Sequence, residues 1–475
     1  MRNHSQSYKQ RKAALRRRRS NSRCQPKRPA RAKTPKSSSS QEDSAGFLAA
    51  WRQLLGGLGL PSLAPRRGRK PRVVLSNLLS ALIFHVMNPT GTLSEHFGIL
   101  FEDALHDSAC SDRRARLPWQ VFADLMRRLL RPLARRRRHP EAFWRGWRLT
   151  ALDGTQHSVS NTPQNNAALR KAKARRGRAA FAKISTSVLL ELGLHNPLAA
   201  AIGYRGQSEW ELSLGLLSHL PKKALLLADR LAGCAAFATE ALRVCRRVGS
   251  HFLFRARTQI KVEVLQRFKD GSRLVRVPVR QKGQPRLILE WLQLREIRLQ
   301  VRRRGYRTTE LRLWTTLLDP ATAPALELAE LYAQRWEHEL FYRELKRQLR
   351  KNALLQSHTV VTAAQEIAAL VLAAALLAQE RDRAAAGMVP VLRVSFIKLL
   401  ELLRPLWLVL ALGDDLLSEW QKEQLTERFY QRARTCLTPK RRVRSCPRKV
   451  RQPVSGWPRL LKNQYSKEPV TLNLF

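Results

Sequence analysis

Four side chains in the segment 331–350 are spaced so that they share one face of a helix. They stand at offsets of 0, 3, 7 and 14 and are Tyr332, Arg335, Glu339 and Lys346. At about 100° per residue they lie within about 60° of one another. A carboxylate with two cations and a phenol suits a metal ion flanked by phosphate, because arginine binds phosphate bidentately and lysine adds a point charge. The alternative is a solvated face with an ordinary i,i+4 ion pair between Arg335 and Glu339.

Two aspartates follow apolar, strand-like runs elsewhere in the chain. Asp153 comes after 147–152, and Asp229 comes after 224–228. An open α/β sheet presents ligand groups where its strands end. Taken singly, however, an aspartate after a strand is more often a turn residue or a helix cap.

Three converging carboxylates would suit phosphoryl transfer on DNA. That reaction needs stabilisation of charge on the attacking and leaving oxygens, which two divalent cations roughly 3.5–4 Å apart supply. Hard cations such as Mg²⁺ prefer oxygen ligands. Helical geometry favours Glu339 as the third carboxylate, because Glu337 and Glu344 point away from the stripe of four.

The charge of the chain indicates a polyanionic partner. Its 475 residues include 88 Lys and Arg against 36 Asp and Glu, a formal net charge of +52. Each contact with a phosphate releases counterions, so nucleic acid is the simplest partner. Charge alone is equally consistent with a ribosomal or chromatin-like protein that only coats nucleic acid.

The placing of the cysteines and the length of the apolar runs argue against a zinc protein, a disulfide-rich protein and a membrane protein. The six cysteines are scattered without a C-x-x-C pair, which argues against a zinc site or a disulfide framework and fits a reducing cytosol. The longest apolar helix candidate, 367–378, is far short of the roughly 20 residues that a membrane span needs. We therefore expect no contact with a membrane.

Changes in the pattern of apolar and polar residues along the chain predict an α/β fold with helical regions at both ends. Hydrophobic fraction (44%) is sufficient for real cores. The predicted units are a basic disordered tail (1–45), a helical DNA-binding region (46–145), the catalytic core (146–257 and 321–385), a β-strand insertion (258–320), a helical C-terminal region (386–436) and a basic tail (437–475).

Two local interpretations belong to the helical ends. The stretch 108–122 reads as a helix-turn-helix-like element with Arg113, Arg114 and Arg116 facing phosphate, or equally as a helical bundle with a basic rim. Pro405 is expected to kink or split the helix predicted at 391–411.

The residues singled out above resemble the DDE transposases of the insertion-sequence-four (IS-four) family. Y-x-x-R-x-x-x-E-x-x-x-x-x-x-K is that family's signature and is matched without a gap. L-D-G-T at Asp153 and L-L-A-D-R at Asp229 are similar to its two aspartate motifs. N-T-P-Q-N at 161–165, R-W at 335–336 and R-E-L-K at 343–346 are similar as well.

The resemblance implies a ribonuclease-H-like catalytic core, interrupted by an all-β insertion between Asp229 and Glu339. It implies metal ligation by Asp153, Asp229 and Glu339, with Mg²⁺ as the cofactor and Mn²⁺ as a substitute. Tyr332, Arg335 and Lys346 would bind phosphates near the cleavage point.

The same resemblance implies cut-and-paste transposition. One strand is nicked at the transposon end, the freed 3′-OH forms a hairpin with the opposite strand, and water reopens it before the end joins target DNA. Partners would be double-stranded DNA, namely terminal inverted repeats and a target, and a second copy of the chain in the DNA complex. The implied location is the bacterial cytoplasm, at the nucleoid.

Hairpin formation requires a nucleotide to leave the stack, and proteins hold such bases on aromatic planes. In the family a tryptophan of the insertion does this, and the candidates are Trp314 first and Trp291 second; a tryptophan on a strand is more often core. Relatives often carry an aromatic shortly after the second aspartate, where this chain has Ala232, which puts local packing in doubt.

Two rivals remain at this point. One is a non-catalytic DNA binder descended from a transposase, against which the intact carboxylates and signature argue. The other is a structure-specific nuclease with the same core that hydrolyses DNA without joining it.

Overall fold

The computed structural model describes residues 47–57, 60, 74–88, 90–102, 105–174, 177–281, 283–302, 309–350, 354–439 and 471–474. The chain divides into the units Met1–Ala45 and Gly46–Phe475, and all described residues belong to the second. The basic tail predicted at 1–45 lies outside the described residues, as does most of the tail predicted at 437–475.

Helices alone occupy the described residues before the first strand. They are α1 (Phe47–Gly56), α2 (Leu75–Met87), α3 (Leu93–Phe101), α4 (Asp107–Ala115) and α5 (Trp119–Leu129). In α5 the apolar side chains recur at helical spacing and are buried, while Arg127 and Arg128 stay exposed. This amphipathic pattern docks the helices onto the rest of the unit and leaves a basic outer rim.

Arg114 does not face outward as the helix-turn-helix interpretation requires. Its guanidinium donates to the hydroxyl of Ser357 (3.0 Å) and to the carbonyl oxygen of Thr362 (2.8 Å). Arg116 is exposed. The prediction that Arg114 contacts phosphate is therefore wrong for this conformation, because the side chain fastens α4 to the protein interior.

A large mixed sheet forms the centre of the unit. The strands are β1 (Phe143–Trp144), β2 (Trp147–Val159), β5 (Lys183–Glu191), β6 (Asn196–Ile202), β7 (Ala224–Ala228), β8 (His251–Arg255), β9 (Glu263–Arg267), β10 (Arg273–Gln281), β11 (Gln284–Arg302), β12 (Thr309–Thr315), β13 (Leu354–Leu355) and β14 (Thr471–Leu474), with β3 (Lys173–Ala174) and β4 (Gly177–Arg178) as a separate pair. The order across the sheet is β6-β5-β2-β7-β8-β12-β11-β10-β9. β2 is antiparallel to β5 and parallel to β7, and β7 is parallel to β8.

Both faces of the sheet centre are covered, which explains the continuous apolar run of β7, buried at every residue. The helices of this region are α6 (Pro163–Ala168), α7 (Glu209–Leu216), α8 (Ala235–Val248), α9 (Ala325–Tyr332), α10 (Trp336–Arg343), α11 (Val360–Ala385), α12 (Phe396–Leu412) and α13 (Glu419–Thr435). Leu152 and Leu226 share one apolar core with residues of α7 and α8. Ala151 and Leu227 point to the other face, into a core shared with α10 and α11.

Helix α11 is longer than the apolar run in the sequence suggested. Its 26 residues make it long and apolar enough to cross a membrane by length and composition, but 94% of its most apolar window is buried within the protein. Burial on that scale is what a core helix shows. α11 packs against α2, α5 and β6, which accounts for its apolar composition.

The strands between residues 258 and 320 extend the central sheet instead of standing apart. β12 pairs with β8, so β9 to β12 continue the same hydrogen-bonded array. Part of the predicted C-terminal tail also belongs to it: β14 pairs with residues 299–302 of β11. Of the two outcomes expected at Pro405, a split does not occur, because Pro405 lies within the continuous helix α12; a kink stays a prediction.

Candidate active site

Asp153 and Asp229 lie side by side, each directly after the last residue that pairs β2 with its parallel neighbour β7. The last pair that joins β2 to β7 is Leu152 with Ala228, and each aspartate is the next residue. β7 ends there, as expected, but β2 continues to Val159 while paired with β5. The prediction that Asp153 ends its strand is therefore wrong. Asp153 lies inside β2, at the position where the neighbouring strand β7 ends while β5 continues.

Local hydrogen bonds orient the two aspartates. Oδ1 of Asp153 accepts a hydrogen bond from the backbone N–H of Gly154 (2.9 Å). Oδ1 of Asp229 accepts one from the backbone N–H of Leu231 (2.7 Å). Alternation along β2 points Asp153 to the same face as Ala151, the face that α10 covers. There the hydroxyl of Tyr342 donates to the carbonyl oxygen of Asp153 (2.7 Å).

The helical segment that carries the signature residues is not uniform. α9 ends at Tyr332, a 3₁₀ turn spans Ala333–Arg335, α10 follows, and a π-helical turn spans Glu344–Leu349. The angular estimate of 100° per residue therefore fails for Lys346, which lies in the π turn. Such turns are rare and occur frequently at functional sites.

The four signature side chains nevertheless contact β2 and β7 near the point where β7 ends, Glu339 through Arg335. Arg335 bridges Asp153 (Nη1 to Oδ2, 3.3 Å) and Glu339 (Nη2 to Oε1, 2.9 Å). The Tyr332 hydroxyl donates to the carbonyl oxygen of Ala228 (3.3 Å), next to Asp229. Lys346 Nζ donates to the carbonyl oxygen of Gln156 (2.8 Å), on β2.

The two neighbouring glutamates are directed elsewhere, as the helical geometry predicted. Glu337 accepts the amide of Gly193 (2.8 Å). Glu344 is hydrogen-bonded to His195 (2.6 Å) and forms an ion pair with Arg381 (3.4 Å). Both therefore hold the helix to the surrounding structure.

Burial and crowding of like charges act on the acid groups of the site. Burial, followed by the negative charge of Asp229, raises the pKa of Asp153 to about 7, and the positive charge of Arg335 opposes this rise. Burial raises the pKa of Tyr332 to about 12. An electrostatically crowded carboxylate of this kind favours an added cation.

Within the described residues, no three Asp, Glu, His or Cys side chains are grouped closely enough to hold a metal ion. Instead, the guanidinium of Arg335 lies between the carboxylates of Asp153 and Glu339. The donor set of Asp153, Asp229 and Glu339 consists of carboxylate oxygens alone, which fits Mg²⁺ or Mn²⁺ in chemical type. Binding would require Arg335 and Glu339 to move.

Glu209 is an acid at this site that the sequence did not reveal. It is the first residue of α7, after the capping residue Ser208, and it lines a small cavity together with Asp153 and Asp229. The S-x-x-E pattern at 208–211 indicates a capped helix start, where acids are common. Only the closeness of Glu209 to Gly154 in space distinguishes it.

The two tryptophan candidates differ sharply in exposure. Trp314 is 0% exposed, and its indole N–H donates to Glu296 (3.0 Å). No ring face is available there for a base, so the first choice does not fit this structure. Trp291 is 44% exposed, with the guanidinium carbon of Arg276 4.5 Å from its ring centre. Ala232, where relatives often have an aromatic, is buried beside the two aspartates.

Part of the chain is similar to known transposases. Residues 144–376 match the family of the transposase DDE domain. Transposase InsG for insertion sequence element IS4, from Escherichia coli strain K12, is 28% identical over 241 residues, which cover 49% of this chain and 52% of that protein. The chain thus aligns with about half the length of this relative.

A solved structure is also similar: the cryo-EM structure of piggyBac transposase synaptic complex with hairpin DNA. The sequence identity is 9%, the TM-score is 0.42, and the match covers 78% of this chain and 79% of that one. Residues 144–376 are thus similar to the transposase DDE domain, and the chain is similar to a transposase of the element IS4.

Proposed function

We propose that this protein catalyses cut-and-paste transposition of an insertion sequence by cleaving and joining DNA phosphodiester bonds. The observation that carries the proposal is the convergence of Asp153 and Asp229, on adjacent parallel strands, with Glu339, which Arg335 links to Asp153. Residues 144–376, which contain all of them, match the transposase DDE domain.

The proposed core is ribonuclease-H-like, with β9 to β12 as its insertion. In support, β6, β5 and β2 form an antiparallel meander, and β7 and β8 follow in parallel beside β2. Helices cover both faces of these five strands. Strands β9 to β12 lie beyond β8, where they extend the sheet without interrupting its centre.

We assign Asp153, Asp229 and Glu339 as ligands of divalent cations, Mg²⁺ or Mn²⁺. When bound, two such ions would lower the pKa of the attacking hydroxyl or water and neutralise charge on the leaving oxygen. Arg335 would then exchange its carboxylate partners for DNA phosphate. Lys346 has further N–H donors beyond the one given to Gln156 and can bind a second phosphate.

Tyr332 contributes in a different way from the sequence expectation. It is buried and its hydroxyl is bonded to the carbonyl oxygen of Ala228. In this position it supports the turn at Asp229. A contact with phosphate would require that hydrogen bond to break.

The proposed reaction exchanges phosphodiester bonds without a net redox change. Water attacks phosphorus at the transposon end, the P–O3′ bond breaks, and a 3′-OH and a 5′-phosphate result. The 3′-OH then attacks the opposite strand, displaces its 3′ oxygen and closes a hairpin, which a second water opens. Attack of the same 3′-OH on target DNA completes joining. Trp291 is the proposed stacking surface for the displaced base.

The proposed partners are the terminal inverted repeats, target DNA and a second copy of the chain. The net charge of +52 supports DNA binding at the nucleoid of a bacterial cytoplasm. Two ends must be brought together for transposition, which is why we propose a homodimer in the DNA complex.

The test uses purified protein, Mg²⁺ and duplex DNA that ends in the element's inverted repeat. Hairpins and joined products, separated on denaturing gels, are the expected result. Nicks without joining would replace the proposal with a nuclease, and a gel shift without any cleavage would replace it with a DNA-binding protein.

A further inference from the structure

The carboxylate of Glu209 reaches the proposed catalytic centre through the gap that Gly154 leaves in β2. A Cβ atom added to Gly154 would meet the side chain of Glu209 at 2.3 Å from both Cγ and Cδ. No other residue type could stand at 154 without moving Glu209, because the contact involves the carboxyl carbon itself. Gly154 directly follows Asp153, so Glu209 is held beside it.

Glu209 approaches from the opposite face of the sheet to Glu339. α7 belongs to the core that contains Leu152, whereas α10 belongs to the core that contains Ala151. Asp153 on β2 and Asp229 after β7 are therefore flanked by one glutamate from each face of the sheet, Glu209 and Glu339. Two cations that share this aspartate pair would each have a glutamate of their own.

The electrostatic surroundings of Glu209 are unfavourable as they stand. Burial, followed by the negative charge of Asp229, raises its pKa, and Glu209 in turn contributes to the raised pKa of Asp153. In the part of the chain that the structure describes, no lysine or arginine forms an ion pair with Glu209. Asp153, Asp229 and Glu209 line one small cavity, where their negative charges repel each other. A cation among them would offset this repulsion, and the three carboxylates would have to move closer together to bind it.

We propose that Glu209 is a fourth carboxylate of the catalytic centre, which with Asp153 and Asp229 binds one of the two divalent cations. The proposal rests on the function proposed above and adds a residue to it. Glu339 and Asp153 then serve the other cation. The structural alternative is that Glu209 only stabilises the start of α7 through the helix dipole, which favours acids in the first turn.

The test measures Mn²⁺ binding to the DNA-free protein, by the loss of the free Mn²⁺ signal in electron paramagnetic resonance, and the melting temperature with and without Mn²⁺. Glu209→Gln should weaken Mn²⁺ binding about tenfold or more and reduce the gain in melting temperature that Mn²⁺ gives. Without metal its melting temperature should not fall, because one repelling charge is gone. Its cleavage of DNA should recover partly at high Mn²⁺ concentration.

Glu211→Gln is the matched control. It changes the same charge in the same helical turn, and the exposed Glu211 is bonded to Ser208, away from the aspartates. It should bind Mn²⁺ as the wild type does. Gly154→Ala, which would displace the Glu209 carboxyl, should reproduce the loss seen with Glu209→Gln; if it does not fold, Glu209→Gln decides alone.

Asp153→Asn separates this inference from the function on which it rests. If Asp153→Asn loses Mn²⁺ binding and Glu209→Gln keeps it, Glu209 is not a ligand, and the three-carboxylate centre stands. If wild type and Asp153→Asn bind Mn²⁺ equally, or if neither binds it, the proposed metal centre itself is wrong. A fall in melting temperature of Glu209→Gln without metal, with unchanged Mn²⁺ affinity, would establish the helix-dipole role.

Discussion

Arg335 holds two carboxylates that lie far apart in the sequence. It is 15% exposed in its side chain and forms ion pairs with Asp153 and Glu339. A guanidinium in this place compensates charges that would otherwise repel, as a metal ion would. The arrangement seen here thus balances the carboxylates without metal, and the proposed cations would take over this role from Arg335.

Neutral, isosteric substitution of each proposed ligand should stop DNA cutting without preventing DNA binding. Asp153→Asn, Asp229→Asn and Glu339→Gln remove a charge that a cation needs, and cleavage should fall by about 100-fold or more, as when a transition-state contact is lost. Cleavage gels and gel shifts measure the two activities. Glu337→Gln, whose side chain is bonded to Gly193, is the control and should cut normally. Any of the three variants that still cuts is not a metal ligand.

The cations of the signature should contribute to affinity through phosphate contacts. Arg335→Ala and Lys346→Ala should each weaken DNA binding and lower the slope of log K against log salt by about 1. Fluorescence anisotropy over a range of salt concentrations gives the slope. Lys398→Ala, which removes an exposed cation paired with Glu401 on α12, is a matched comparison. A slope that matches wild type would show that Arg335 and Lys346 do not contact the backbone.

The secondary structure could be predicted where apolar runs dictate it. The strand-like run at 224–228 is observed as the buried strand β7 (Ala224–Ala228). The continuation of β2 past Asp153 could not be predicted, because polar residues such as Gln156 are extended there only through pairing with β5. The π turn at Glu344–Leu349 and the pairing of β14 with β11 likewise depend on packing between distant parts of the chain.

Side-chain positions were the least predictable part of the candidate site. The residue types and spacing predict Asp153, Asp229 and Glu339 as ligands, but spacing cannot show that Trp314 is buried or that Glu209 reaches Gly154. Both facts follow from the register and neighbours of strands. Both depend on how the strands and helices pack against one another, which the spacing of residues along the chain does not show.

The strands β11 and β12 are held together by a buried charge network. Glu296 is 0% exposed and accepts from Arg273, Arg312 and Trp314. Glu296→Ala would leave Arg312 buried without its partner and should cost about 3–5 kcal/mol. Chemical denaturation measures the loss. Glu263→Ala removes an exposed pair with Arg276 in the same region and should cost no more than about 1 kcal/mol; equal costs would contradict the network's structural role.

Acid should weaken the contact between β2 and the π turn through His157. Burial, followed by the charges of Lys346 and Arg350, lowers the pKa of His157 to about 3. Since its ordinary value is about 6.5, the unfolded chain takes up the proton first, so this contribution is present above pH 6.5 and is lost as pH falls towards 3.

His157→Gln should therefore reduce the loss of stability between pH 6.5 and 4.5 by up to about 1.4 kcal/mol per pH unit. Asp153, whose raised pKa acts in the opposite direction, is unchanged in this comparison. Unfolding free energies in urea at several pH values provide the measurement, and the exposed His219→Gln is the control. Identical pH profiles for wild type and His157→Gln would mean that His157 is not held neutral.

At the scale of the whole molecule, charge and chemistry are distributed differently along the chain. The acids of the proposed site lie within 153–339, whereas no acid precedes Glu42 and basic residues are frequent in 1–36. The chain also divides at this point into Met1–Ala45 and Gly46–Phe475. The distribution predicts that 1–45 contributes to DNA affinity without contributing to cleavage itself.

Removal of residues 1–45 should accordingly lower affinity for any DNA sequence and leave cleavage at saturating DNA unchanged. Replacement of Arg16, Arg17, Arg18 and Arg19 by alanine should reproduce part of the effect, with a decrease of the salt slope of up to about 0.9 per lost phosphate contact. Anisotropy with repeat and unrelated duplexes gives both slopes, and the melting temperature of the shortened protein tests whether 46–475 remains folded. Because counterion release ignores sequence, the loss must be the same for both duplexes. A loss confined to the inverted repeat would instead make 1–45 part of the recognition of transposon ends.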